Sequence, residues 1–121
     1  MNASSIADIS SRADLIDLLN EFYNKAQSDD VIGDKFSHLN MIEHTETIAD
    51  FWDSILFGTN RYHGDPFGKH ISLNLSTQDF DRWIFLFNET IENKFAGPKA
   101  DEAKFRAGTI AKVFKHKLNL A

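Results

Sequence analysis

The chain has 121 residues, 42% of them apolar and 26% charged, which suffices for one hydrophobic core but not two and fits neither a disordered nor a fibrous protein. A net charge of −5 argues against nucleic acid as the main partner, and the lack of cysteine excludes disulfides, iron–sulfur clusters and cysteine-ligated zinc. Six glycines and two prolines are too few for a sandwich or barrel of many short strands. The longest apolar run, Trp83-Ile-Phe-Leu-Phe87, is far below a membrane span. The first residues show neither the basic start nor the hydrophobic stretch of a secretory signal, so a cytoplasmic protein without membrane contact is expected.

In chain order, Ser10 or Ser11 can cap a first helix whose apolar positions Leu15, Leu18, Leu19, Phe22, Tyr23 and Ala26 recur every three or four residues. It should end at Ser28-Asp29-Asp30, with a short turn of helix around Val31 to Phe36. A second helix is predicted from about Met41 to Phe57, with Met41, His44, Ile48, Phe51, Trp52, Ile55 and Leu56 on one stripe and Gly58 as its stop. The stretch from Gly58 to Ser76 holds three of the six glycines and one of the two prolines and is the least regular. Within it Ile71, Leu73 and Leu75 alternate like a short strand, but no partner strand is evident. Ser76 or Thr77 then caps an amphipathic helix with Phe80, Trp83, Ile84, Phe87, Ile91 and Phe95 facing inward, ended by Gly97. Pro98 opens a last helix carrying Ala103, Ala107, Ile110, Ala111, Phe114 and Leu118. The expectation is a single all-α domain over residues 1–121, with four substantial helices and no sheet.

After Glu102 there is no acidic residue, while Lys104, Arg106, Lys112, Lys115 and Lys117 add five positive charges. They are dispersed among apolar residues, so the reading is cations favouring the C-terminal end of a helix through its dipole rather than a binding patch. The 11 phenylalanines suit a pocket around something planar, although aromatic-rich cores without ligands are common.

No serine-nucleophile elbow, Gly-rich phosphate loop or H-E-x-x-H zinc motif is present, which leaves histidines and polar aromatics as the candidates for chemistry. His38, His63 and His116 stand in polar or loop surroundings and read as solvated. His44 is in phase with Ile48, Phe51 and Ile55. His70 stands beside apolar Ile71, Leu73 and Leu75, where each ring nitrogen needs a partner or a metal. Tyr23 and Trp83 each bring one polar hydrogen into an apolar face, where leaving it unpaired costs about 1–3 kcal/mol.

Taken together, these residues resemble the truncated haemoglobins, and specifically the third group of that bacterial family, from about Leu15 to Phe114. The resemblance rests on Glu43-His-Thr-Glu-Thr-Ile-Ala-Asp-Phe-Trp52, on Tyr62-His-Gly-Asp-Pro-Phe-Gly-Lys-His70, on Phe80-Asp-Arg-Trp83-Ile-Phe-Leu-Phe87 and on Phe22-Tyr23. It implies a two-over-two helical sandwich, smaller than a full globin, around haem b held without covalent attachment. His70 is similar to the proximal histidine that binds the iron. Tyr23 and Trp83 resemble the distal donors and His44 the distal-helix histidine, which in such proteins gates the pocket. Phe36 falls where the family packs a phenylalanine on the haem face, Ile48, Phe51, Phe67 and Phe87 would supply apolar walls, and Lys69 or Arg61 would meet a propionate.

The implied function is reversible binding of O2 or another diatomic such as CO or NO, as in oxygen transport. Alternatives are nitric oxide dioxygenation or peroxidase-like chemistry, which would need a separate reductase, a cofactor-free helical interaction module, and a haem-based sensor, for which no output domain is seen.

Overall fold

The computed structural model describes residues 6–36, 40–62, 64 and 75–118. Among them there are four α-helices, α1 (Arg12–Gln27), α2 (Met41–Phe57), α3 (Thr77–Lys94) and α4 (Pro98–Lys117), with a 3-10 turn at Gly33–Phe36 and no strand. The strand-like alternation at Ile71 and Leu73 lies outside the described residues. No described helix is long and apolar enough to cross a membrane.

Local chemistry sets the helix starts. Ser11 is the N-cap of α1, its extended backbone letting the hydroxyl accept from the Asp14 N–H; Asn40 does the same for α2 through Glu43. Ser76 opens α3 with a full capping box, its hydroxyl accepting from the Asp79 N–H while the Asp79 carboxylate accepts from the Ser76 N–H. Gly58, in the left-handed conformation, closes α2.

Gly97 does not end α3 as expected. That helix stops at Lys94 with Phe95 as its C-cap, and Gly97 is the N-cap of α4 instead. Gly97 has no side chain to cap with, and the missing acceptor comes from far away in sequence. Asp8 accepts from the backbone N–H groups of Lys99 at 2.9 Å and Ala100 at 2.8 Å, as well as from its neighbour Ile9. A Cβ on Gly97 would lie 2.6 Å from the Asp8 side chain, and the backbone φ of 142° also excludes other residues. Burial pushes the Asp8 carboxyl upward, but the three N–H donors and the Lys99 charge outweigh it and hold it below the ordinary range.

The α1–α2 connection is organised by Asp29. Its carboxylate accepts from the Val31 and Ile32 N–H groups and grips Arg82 of α3 at 2.8 Å through two guanidinium nitrogens. The hydrogen bond from Arg82 leads the lowering of this carboxyl's pKa, against the opposing effect of burial. Gly33 passes so close to the end of α1 that a Cβ there would be 2.7 Å from the Gln27 carbonyl oxygen, a backbone atom that cannot yield.

The helices form a closed ring of contacts, α1 on α2, α1 on α3, α3 on α4 and α2 on α4, which is the two-over-two sandwich. Its core gathers the apolar stripes: Leu15, Leu18, Leu19 and Phe22 from α1, Leu86, Phe87 and Ile91 from α3, and Ala100, Ala103 and Ala107 from α4, whose small side chains let the helices approach closely. Cations of α4 pair with carboxylates of α3, Lys104 with Glu92 and Lys115 with Asp81, while Arg106 pairs with Glu102 within α4.

Asp8→Ala removes the acceptor for the start of α4 and is expected to lower the unfolding free energy at pH 7 by about 1 kcal/mol. Because the folded-state carboxyl titrates below its unfolded value, its contribution is complete above that value and fades as pH falls through it. The gap in urea midpoint between variant and parent, followed by helical circular dichroism, should therefore start to shrink as pH falls below about 4 and go on shrinking at lower pH.

Candidate functional site

Two apolar clusters meet without closing on each other. The larger includes Tyr23, Ile32, Phe36 and Trp52, with Ile48 and Phe51 packed on it. The smaller joins Phe80 at the start of α3 to Ala111 and Phe114 of α4, with Leu75 and Ile110 against them. Trp83 packs on both. Between them runs a cleft of about 780 Å³ including its open mouth, lined by these residues together with His44 and Asp79.

Helical spacing delivers the walls. On α2, His44, Ile48, Phe51 and Trp52 follow at four, seven and eight residues, one face of a helix. Tyr23 is carried by α1 beside Phe22, whose ring meets it edge-on at 4.9 Å. The 3-10 turn brings Phe36 edge-on to Tyr23 at 5.6 Å and to His44 at 6.5 Å. The cleft is therefore aromatic on several sides, with flat, edge-locked rings.

Polar atoms are few and placed together. The Tyr23 hydroxyl lies 2.9 Å from His44 Nε2. Tyr23 is only 6% exposed, and burial pushes its phenol pKa well up, so the hydroxyl keeps its proton and remains a donor. When Nε2 carries no hydrogen, the phenol donates to it. When Nε2 carries one, it donates to the phenol oxygen and the phenolic hydrogen is left to point elsewhere. Trp83 is half-buried, and its indole N–H makes no hydrogen bond among the described residues.

Of the residues nominated from the sequence, Tyr23, Phe36, His44, Ile48, Phe51 and Trp83 come together in this cleft. Phe87 is not among its lining residues. It is fully buried behind the wall, stacked on Trp83 at 5.5 Å and on Trp52 at 5.3 Å, because it lies one turn beyond Trp83, deeper between α2 and α3. Arg61 is also off the lining and pairs with Oδ2 of buried Asp53, the same oxygen that Arg12 contacts. His70, Phe67 and Lys69 lie outside the described residues, as do His38 and His63, while His116 is exposed on α4.

Sequence reasoning passed over Trp52, Phe80, Ile110 and Phe114 as site residues because their periodicity marked them only as inward-facing. It also passed over Asp79, a buried carboxylate on the cleft wall whose Ser-x-x-Asp pattern is fully explained by capping. No group of three or more His, Asp or Glu side chains able to hold a metal assembles among the described residues. The lining is mostly apolar, with Tyr23, His44, Asp79 and the two tryptophans as its polar side chains.

The chain matches the family of bacterial-like globins over residues 7–117. It is 30% identical over 108 residues to the group 3 truncated haemoglobin ctb of Campylobacter jejuni, covering 84% of this chain and 85% of that one. It superposes on the crystal structure of a group III truncated haemoglobin from Campylobacter jejuni with a TM-score of 0.84 at 26% identity, over 93% of this chain and 94% of the other.

Phe87→Ala is expected to act on the fold, lowering the unfolding free energy by about 3–5 kcal/mol as a buried aromatic truncation. Ile48→Ala, at a half-buried position on the cleft wall, should cost clearly less; urea denaturation of the two variants side by side checks the ordering.

Proposed function

The chain belongs to the bacterial-like globins, among the truncated haemoglobins of the third group, and on that premise we propose that it is a b-type haem protein that reversibly binds O2 or another diatomic in the cleft between its two apolar clusters. The observation that carries this reading is the hydrogen-bonded pair Tyr23–His44 on the wall of an otherwise apolar, aromatic cleft.

Haem supplies an iron with one coordination position for a protein imidazole and one for a diatomic ligand. In this reading His70 would be the protein imidazole, Phe67 would supply an apolar wall, and Lys69 or Arg61 would meet a propionate. Phe36, Ile48 and Phe51 pack on the porphyrin and keep water out. Tyr23 donates its phenolic hydrogen to a ligand carrying partial negative charge, and Trp83 offers its indole N–H from a second direction. His44 decides whether the phenolic hydrogen is engaged or available, since the phenol can donate to His44 or accept from it, but not both through the same hydrogen. A polar ligand such as O2 gains from these donors, and an apolar one such as CO gains less. Turnover of nitric oxide or peroxide at the same site would draw its electrons from a separate reductase.

An interaction module using its phenylalanines for packing alone would be expected to close the two clusters on each other. The open cleft, with a phenol and an imidazole on its wall, favours the ligand-binding reading over that one.

Purified protein supplied with haemin should show a Soret band that shifts under CO, and His70→Ala should lose haem or change that spectrum. A hydrogen bond to a charged group contributes about 1.5–3 kcal/mol, so replacing both Tyr23 and Trp83 by Phe should speed O2 dissociation by at least about tenfold in flash or stopped-flow measurements. An unchanged rate would remove their role as donors, and a protein that takes up no haemin would remove the function.

A further inference from the structure

The outer face of the α3–α4 layer carries two exposed rings, Phe105 of α4 at 73% and Phe85 of α3 at 53%. The ion pairs Lys104–Glu92 and Lys115–Asp81 mark the seam between these helices. Phe85 shares a helical row with Asp81 and Glu92, four residues after one and seven before the other. Gly108 stands in the row of Lys104 and Lys115 by the same spacing. A Cβ on Gly108 would meet nothing within 4 Å, so no contact inside the chain calls for glycine there. Glycine within a helix is nonetheless destabilising, since it loses more conformational freedom on folding than alanine does. Its absent side chain leaves room only for something outside the fold.

Phe105 and Gly108 belong to a stripe of α4 that also holds Asp101 and Lys112, at steps of four, three and four residues. That stripe is complementary to itself when one copy is turned end for end: large meets small at the centre, and acid meets base at the ends. Asp101 is in the first turn of α4, its side chain 77% exposed and approached by Lys104 only at 3.8 Å. Lys112 is exposed and forms no ion pair among the described residues. Within one chain the two are about 16 Å apart along the helix, too far to pair with each other. The charge gradient of α4, acidic at its start and only basic after Glu102, likewise matches itself in an antiparallel arrangement.

We infer that a second copy of this chain docks on this face, through an antiparallel α4–α4 contact about a two-fold axis that passes between Phe105 and Gly108. Each Phe105 ring seats on the partner's Gly108, and each Asp101 pairs with the partner's Lys112. A two-fold contact forms every interaction twice, so the four positions supply two seated rings and two ion pairs. Phe85, across the seam, widens the apolar patch, and Arg82 covers its ring at 5.1 Å. One helix crossing one helix is at the small end of specific interfaces, which makes this a reversible dimer with a micromolar dissociation constant. The cleft-lining residues of α4, Ile110, Ala111 and Phe114, project from the other side of the helix, so the contact does not depend on what the cleft holds.

The test is sedimentation velocity of the full chain, as purified and supplied with haemin, from about 1 to about 500 μM. The parent should pass from monomer to dimer and no further, since a two-fold contact closes on itself. Asp101→Lys and Lys112→Glu should each weaken association by about tenfold. Combined in one chain they should restore it, because each reversed charge again meets its opposite on the partner. Phe105→Ala should weaken the dimer by at least about tenfold. Gly108→Ala should also weaken it, yet raise the urea midpoint at dilutions where the chain is monomeric, as alanine does within a helix. A chain that stays monomeric throughout the range would overturn the inference. So would a dimer that none of these substitutions weakens, or one that the double reversal leaves as weak as the single ones.

Discussion

The cleft exists because three rings hold its wall rigid. Trp83 of α3, Phe87 behind it and Trp52 of α2 stack nearly parallel, at 5.5 and 5.3 Å between neighbouring centroids. The two tryptophans face the cleft while the phenylalanine is sealed in the core, where Phe22 meets it edge-on at 5.3 Å. Large flat side chains locked in this way cannot rotate to fill adjacent space, because interiors pack at crystal-like density and each ring already occupies its place. Among the described residues the smaller cluster around Phe80 and Phe114 meets the larger one through Trp83, Ile84 and Ile110. The cleft is thus a consequence of packing in the core.

Against that apolar background each polar atom matters more. The phenol of Tyr23 and the imidazole of His44 satisfy one another at 2.9 Å, so the phenol is not a stranded donor on the cleft wall. The same pair can reorganise when a polar ligand enters, since phenol and imidazole each both donate and accept. Asp79 and Lys35 show the same economy with charge: a carboxylate needed to start α3 also lies on the cleft wall, and a cation from the preceding turn offsets it. Burial in the folded chain keeps the Tyr23 proton in place, whereas hydrogen bonds keep Asp8 and Asp29 ionised to lower pH.

Much of the architecture could be read in one dimension because the signals for it are local. Ser11, Ser76 and Gly58 cap their helices through atoms no more than four residues away, and the stripes of α1, α2 and α3 follow the period of a single helix. The role of Gly97 was not readable, because its meaning depends on Asp8, and no local pattern announces an acceptor about ninety positions away. Nor was the placement of Phe87. Periodicity says that Phe80, Trp83 and Phe87 face inward, but those three positions climb a helix and meet three surroundings: a satellite cluster, a cleft and the closed core.

From its residues alone this chain was committed to four amphipathic helices, to their ends, and to tyrosine, histidine and tryptophan on inward faces, since each depends on neighbours within a turn or two. Ordered motifs also carried the likeness to a globin family. Tertiary packing decided which inward residues touch one another: that Tyr23 bonds His44, that Phe87 lies behind the wall instead of on it, and that Lys35 and Asp79 form a charged pair at the cleft. Contacts between distant segments depend on the angles and offsets at which whole helices meet, and these arise from the collective fit of many side chains, which no stretch of sequence encodes alone.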